Sequence, residues 1–125
     1  MAGQPNFPGW VVFDVSALDS SDIIVDVGTS FNLKATFDGS GVIWNGYEIS
    51  TEPYTVNFYA ERIGTGAMNL GSVGGNLSAG GGPYTATLPT TINTPGLYRI
   101  GCTVTLDNHL YIAGFQEGLL QQVHP

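Results

Sequence analysis

The chain has 125 residues, 42% of them hydrophobic, which suits one domain that can close a core without disulfides. Only 3 lysines and arginines stand against 10 aspartates and glutamates, so the formal net charge is −7. A surface of this sign repels a phosphate backbone and an anionic membrane. We therefore expect no nucleic-acid partner, and we expect no membrane span because no window approaches roughly 18 uninterrupted apolar residues.

The first part of the chain predicts two short strands around a polar break. Residues 10–15 alternate in the manner of an edge strand, residues 16–22 are polar, and residues 23–27 form a second apolar run. Residues 1–9 are expected to form an extended arm. Because this arm has neither a basic region nor an apolar run of signal-peptide length, we expect a chain that is either cytoplasmic or secreted with its leader removed.

Three longer segments, residues 31–37, 54–62 and 98–106, alternate apolar and polar side chains with the period of a half-buried strand. We expect these segments to be the central strands of the fold. Cys102, the only cysteine, lies at an inward position and is expected to be a small core residue, with no disulfide in the chain. The inward positions are predicted to be Phe31, Leu33, Ala35, Phe37, Tyr54, Val56, Phe58, Ala60, Tyr98, Ile100, Cys102, Val104 and Leu106.

A hairpin is predicted over residues 42–49, where Asn45 and Gly46 separate two apolar triplets. A type I′ turn needs positive φ at both central positions, which Asn-Gly tolerates. This register places Trp44 opposite Tyr47. The aromatic pair either plugs the core or forms an exposed adhesive face, and the pattern is compatible with both.

The second half adds a glycine-rich stretch and two further strands. Residues 64–82 are interpreted as a mobile excursion that contains one or two short strands. Residues 84–89 predict a short strand, and residues 110–123 predict a last strand bent at Gly118. No helix of ordinary length is expected, so the sequence predicts one all-β domain over residues 1–125, an antiparallel β-sandwich of about 7–9 strands.

Segments 31–37, 54–62, 84–88 and 95–100 resemble strands B, C, E and F of an immunoglobulin-like sandwich of the bacterial or fibronectin type III kind. In that family a Gly-x-Tyr step opens strand F and the tyrosine hydroxyl caps the E–F corner. Tyr98 matches this position. The resemblance covers residues 22–123, but Leu33 and Ile100 stand near the positions of the family's disulfide. It therefore implies a disulfide-free branch and a non-catalytic binding or spacer module.

The sequence offers no pattern for catalysis, a metal or a cofactor. His109 and His124 are expected to lie far from each other and from Cys102, so no zinc set is predicted. The aspartates at positions 14–26 match no calcium loop and are interpreted as a solvated acidic edge. No serine nucleophile has a plausible histidine partner. We accordingly expect a protein that is not an enzyme and that binds no cofactor.

Two functions remain open. The first is a protein–protein interaction module or assembly subunit that binds a protein partner or self-associates, because charge is low and aromatic residues are enriched at interfaces. The second is a carbohydrate-binding module that takes a polysaccharide, with Asn57, Tyr59 and Glu61 on one outward face. The candidate binding residues are Trp10, Trp44, Tyr47, Tyr59 and Tyr111.

Overall fold

A computed structural model describes residues 14–38, 43–44, 47–48, 53–77, 83–107 and 112–125. In these ranges the chain forms ten strands and no helix. Accordingly, this part of the chain contains no helix long and apolar enough to cross a membrane. The strands are β1 (Asp14–Ser20), β2 (Ile24–Asp26), β3 (Phe31–Asp38), β4 (Ile43–Trp44), β5 (Tyr47–Glu48), β6 (Pro53–Arg62), β7 (Ala67–Asn76), β8 (Tyr84–Thr90), β9 (Gly96–Leu106) and β10 (Ile112–His124).

Eight of these strands form two sheets. The smaller sheet has the order β1-β3-β8, and the larger sheet has the order β2-β10-β9-β6-β7. All neighbours are antiparallel except β2 and β10, which run parallel. Inward side chains of both sheets belong to one hydrophobic cluster. The fold is therefore the antiparallel β-sandwich that the strand pattern predicted.

The core is built from the alternation of the three central strands. All thirteen side chains predicted to face inward are buried, and none is more than 7% exposed. Each large apolar side chain among them contributes roughly 1.5–3 kcal/mol on full burial, before the loss of conformational entropy is counted. The prediction for β3, β6 and β9 is confirmed.

Three aromatic rings close one end of this core. Phe37 meets Tyr54 edge to face with ring centroids 5.1 Å apart, and it stacks on Tyr84 at 5.3 Å. The Tyr54 ring also covers Gly75 of β7, where an added Cβ would lie 2.5 Å from the tyrosine hydroxyl oxygen. Glycine at this position is therefore required by a close approach between side chain and backbone.

Two predictions about the strands were wrong. The polar break over residues 16–22 is largely strand, because β1 extends to Ser20 and pairs with β3. In β1 the alternation of buried and exposed side chains is interrupted by a register shift between Val15 and Ala17. Val15 and Leu18 are therefore both buried although they lie three residues apart, so the period of two is not visible in the sequence. The glycine-rich stretch is also more regular than expected, since β7 is one strand of ten residues.

Two local predictions are confirmed. The hairpin has the expected register, with Trp44 paired with Tyr47 and Ile43 paired with Glu48. The last strand has a register shift at Gly118, whose φ of +116° favours glycine. Residues 1–9 and 80–82 lie outside the described residues, as do the turn residues Asn45 and Gly46.

A tyrosine corner joins β9 to the loop before it. The Tyr98 hydroxyl donates a hydrogen bond to the Thr94 carbonyl oxygen at 2.7 Å, four residues upstream. Tyr98 is 1% exposed, and this hydrogen bond gives the buried hydroxyl proton a partner within the protein. The role predicted for Tyr98 from the immunoglobulin-like resemblance is thereby confirmed.

Burial of the Cys102 thiol makes the stability of the fold depend on pH in the alkaline range. Burial raises the pKa of Cys102 from its ordinary value of 9.0 to about 11, against a smaller lowering by a backbone hydrogen bond at Gln116. Between these two pH values the unfolded state releases the thiol proton and the folded state keeps it. We therefore expect the free energy of unfolding to fall as pH rises from 9 to 11.

Urea denaturation at pH 8.5 and pH 10.5 measures this loss, with Cys102→Ala as the control. Burial also raises the pKa of Tyr54 and Tyr59, but the control retains both tyrosines, so the difference between the proteins isolates the thiol. Equal pH dependence in the two proteins would contradict the assignment.

Candidate binding surface

The outward surfaces of the two sheets differ in chemistry. On the three-stranded sheet the outward side chains are polar or small, apart from one proline: Asp19, Asn32, Lys34, Thr36, Thr85, Thr87 and Pro89. The outward side of the five-stranded sheet, here called the outer face, carries four large exposed hydrophobic side chains among those that the structure describes. These four residues, here called the apolar patch, are Ile24, Leu97, Phe115 and Leu120.

Strand register brings three members of the apolar patch together. Leu97 of β9 and Ile24 of β2 both pair with Gln122 of β10, one on each side. Leu120 lies two residues before Gln122 on the same face of β10. Phe115 lies farther along β10, opposite Thr103. These side chains are 60% (Ile24), 45% (Leu97), 52% (Leu120) and 56% (Phe115) exposed.

The bulge at Gly118 puts Leu120 on this surface. Before the bulge, Phe115 and Glu117 are exposed, and an unbroken alternation would next turn residues 119 and 121 outward. The extra residue reverses the phase, so Leu120 is exposed and Gln121 is fully buried. The Gln121 amide nitrogen then donates hydrogen bonds to the carbonyl oxygens of residues 22 and 23 at 2.8 and 2.9 Å.

Tyr59 extends across the middle of the outer face. It pairs with Gly101 of β9, and a Cβ added to Gly101 would lie 2.5 Å from the tyrosine hydroxyl oxygen. Gly101 in turn pairs with Glu117 of β10. The pKa of Tyr59 is raised, first by burial and then by negative groups that include Glu117 and Glu61. The ring therefore bridges β6 and β10 over a glycine that has no side chain of its own.

Charge on the outer face is mostly negative. Arg99 lies opposite Leu120 and forms an ion pair with Glu61 at 3.3 Å, with both side chains more than 40% exposed. An exposed pair of this kind stabilises the fold by about 0–1 kcal/mol. Glu117 and Asp26 are also exposed. The outer face thus consists of an apolar patch surrounded by mostly acidic side chains.

The candidate residues from the sequence have different outcomes. Tyr59 lies on the outer face as predicted for its strand position. Trp44 and Tyr47 pair in the hairpin, but their side chains are outside the described residues, as are Trp10 and Tyr111 entirely. The apolar patch was missed. The one available signal was the pair Leu119-Leu120 after Gly118, since two adjacent strand residues cannot both face the core.

The described residues form no candidate metal site, because no three His, Cys, Asp or Glu side chains among them come close enough to share a metal ion. A shallow depression of about 500 Å³ opens beside Leu97 and adjoins the apolar patch. It is lined by Pro95, Gly96, Leu97, Gln122, Val123 and Pro125.

Comparison with known proteins identifies the fold. No family model and no curated protein sequence matches the chain. Among solved structures, the CARDB domain of a Pyrococcus furiosus protein in complex with di-metal ions is similar, with 17% identity, 95% of this chain and 97% of that chain covered, and a TM-score of 0.61. The PKD domain of an M14-like peptidase from a Thermoplasmatales archaeon is similar with 9% identity, coverage of 91% and 94%, and a TM-score of 0.50.

A third similar structure is the alkylpurine DNA glycosylase of Pseudomonas fluorescens, bound to DNA that contains an abasic site analog. It shares 12% identity, 92% of this chain is covered, and the TM-score is 0.57. This chain corresponds to 31% of that enzyme. At such identities the comparisons establish the fold alone. The protein is an immunoglobulin-like antiparallel β-sandwich, as the sequence predicted.

Proposed function

We propose that this domain is a non-catalytic protein-interaction module that binds a partner protein through its outer face. The observation that carries the proposal is the apolar patch, four large hydrophobic side chains exposed on one face of one sheet. Exposed apolar groups scattered singly need no explanation, but a group of them on one face is typical of an interaction site. The outward surface of the three-stranded sheet, by contrast, has no such group of exposed hydrophobic side chains among the described residues.

The charge of the outer face indicates the chemistry of the partner. Asp26, Glu61 and Glu117 are acidic, and the cation of Arg99 is already paired with Glu61. A partner with an apolar centre and lysine or arginine at its rim is complementary to this arrangement. Such a partner would associate faster at low ionic strength, because opposite charges steer the encounter.

Within the immunoglobulin-like class, we place the chain in the disulfide-free branch that includes fibronectin type III domains. Two features support this assignment. Leu33 and Ile100, which stand near the positions of the disulfide in other branches, are fully buried apolar residues. Cys102 is buried as a free thiol.

A second candidate function is carbohydrate binding, which one observation favours. Tyr59 crosses the bare backbone of Gly101 with Asn57 and Glu61 beside it on the same strand face. An aromatic ring held on a sheet surface can stack against a sugar, and the amide and carboxylate can accept or donate hydrogen bonds. This function predicts that Tyr59→Ala abolishes binding to a polysaccharide while Leu120→Ser does not.

Site-specific photo-cross-linking tests the main proposal. The photoreactive residue p-benzoylphenylalanine replaces Leu120 on the outer face, and the chain is irradiated in the cells that produce it. The control carries the same residue in place of Thr85, which is exposed on the outward side of the other sheet. We expect one discrete adduct with a different protein from position 120 and none from position 85.

Two results would contradict the proposal. The first is an absence of any discrete adduct from position 120, and the second is the same adducts from both positions. An adduct whose mass is twice 13.2 kDa, which is 26.4 kDa, would indicate that the outer face binds a second copy instead of a different protein.

A further inference from the structure

Four of the described strands lie at the edges of the two sheets, and three of them carry features that oppose pairing with another chain. Charges, proline and short length all protect sheet edges from such pairing. β1 contains Asp14 and Asp19, β8 contains Pro89, and β2 has only three residues, one of them Asp26. These edges are therefore protected by their own sequences.

The fourth edge, β7, lacks all of these features. It has ten residues with neither a charge nor a proline, and within the described part of the chain it pairs with β6 only. Register with β6 is continuous from Gly71 to Asn76. The preceding bulge has a local hydrogen bond, in which the Gly71 amide donates to the Asn69 side-chain oxygen at 3.0 Å. Residues 71–76 thus form a regular, unprotected edge.

The surroundings of this edge are also uncharged. The residues of β6 that pair with residues 71–76 are Pro53, Tyr54, Thr55, Val56, Asn57 and Phe58, none of which is ionisable near neutral pH. The chain as a whole carries a formal net charge of −7. Two copies of an acidic protein repel each other least where their charges are absent, so this corner of the sheet is where a second copy can approach.

We propose that two copies of this chain pair edge to edge through antiparallel β7 strands. An antiparallel pair of identical strands is self-complementary, because a two-fold axis places each donor of one strand opposite an acceptor of the other. With Gly74 on the axis, Ser72 lies opposite Asn76 of the partner subunit. The product is one continuous sheet of ten strands.

This pairing makes the dimer bivalent. The two-fold axis of an antiparallel pair is perpendicular to the sheet, so both outer faces lie on the same side. Two apolar patches on one side can bind a partner with two sites more tightly than either patch alone. This bivalence rests on the proposed function, whereas the pairing of β7 does not.

The variant Gly74→Lys tests the pairing of the β7 strands. It should cause little strain in the monomer. An added Cβ at Gly74 would meet the Tyr54 carbonyl oxygen at 3.7 Å, an ordinary contact distance. At the two-fold axis the new lysine would face its own copy. Native mass is measured by light scattering after size exclusion at micromolar to millimolar concentrations, with circular dichroism to verify folding. The control is Thr85→Lys on the edge strand β8.

We expect the wild type and Thr85→Lys to shift from 13.2 kDa toward twice that mass with rising concentration, with at least a tenfold weaker association for Gly74→Lys. A mixture of Gly74→Lys with Gly74→Glu should restore the dimer. A wild type that stays monomeric at millimolar concentration, or a dimer unaffected by Gly74→Lys, would overturn the inference. Neither result affects the cross-link from position 120, so the two proposals fail separately.

Discussion

Insertion of one alanine between Leu120 and Gln121 is expected to abolish stable folding. The inserted residue takes the inward position that Gln121 now holds, so Gln121 and Val123 turn outward and Gln122 turns inward. Losing the burial of Val123 costs about 1.5–3 kcal/mol. Losing the two hydrogen bonds of Gln121 and burying an unpaired Gln122 amide each cost about 1–3 kcal/mol. The total is comparable to the whole stability of a domain, about 5–15 kcal/mol.

Gly118→Ala is the matched control for this insertion. It keeps the chain length and the bulge, and no atom lies within 4 Å of the added Cβ. Only backbone strain at a φ of +116° remains, which costs about 1–3 kcal/mol. Urea denaturation compares the three proteins. An insertion variant within about 1 kcal/mol of the wild type would show that the burial of Gln121 and Val123 does not depend on the phase of β10.

The second large effect is expected at Tyr98. Replacing this buried ring with alanine leaves a cavity in the core and should lower the free energy of unfolding by about 3–5 kcal/mol. Tyr98→Phe keeps the ring and removes only the hydrogen bond to Thr94, so a loss of about 1 kcal/mol is expected.

Leu97→Ala, an exposed substitution on the same strand, serves as the control for Tyr98 and should change stability by less than about 0.5 kcal/mol. Chemical denaturation at pH 7 measures all three variants. A Tyr98→Phe protein as stable as the wild type would show that the corner hydrogen bond contributes nothing to stability.

The central strands could be predicted because every second side chain of β3, β6 and β9 is apolar and buried. The period of two is then visible in the sequence itself. The continuation of β1 over residues 16–20 was missed because the shift between Val15 and Ala17 breaks that period. β7 was underestimated because its glycines contribute no side chains to the pattern. Gly75 is needed because the Tyr54 ring lies against its backbone, and this contact is visible only in the packed structure.

The binding surface was harder to predict than the core. Tyr59 was placed outward correctly by the alternation of β6. Exposure of Leu97, Leu120 and Ile24 depends on which neighbours cover them, and this depends on strand order and on the phase after the Gly118 bulge. Aromatic residues were chosen as candidates because they are enriched at interfaces, whereas three of the four residues in the apolar patch are aliphatic.

The most direct test of the central claim is the affinity of the chain for the partner recovered from position 120. Isothermal titration calorimetry would compare the wild type, Leu120→Ser and the control Thr85→Ser. We expect the dissociation constant to rise at least about tenfold for Leu120→Ser, equivalent to about 1.4 kcal/mol, and to stay within about twofold for Thr85→Ser. Equal affinity of Leu120→Ser and the wild type would contradict binding through the outer face.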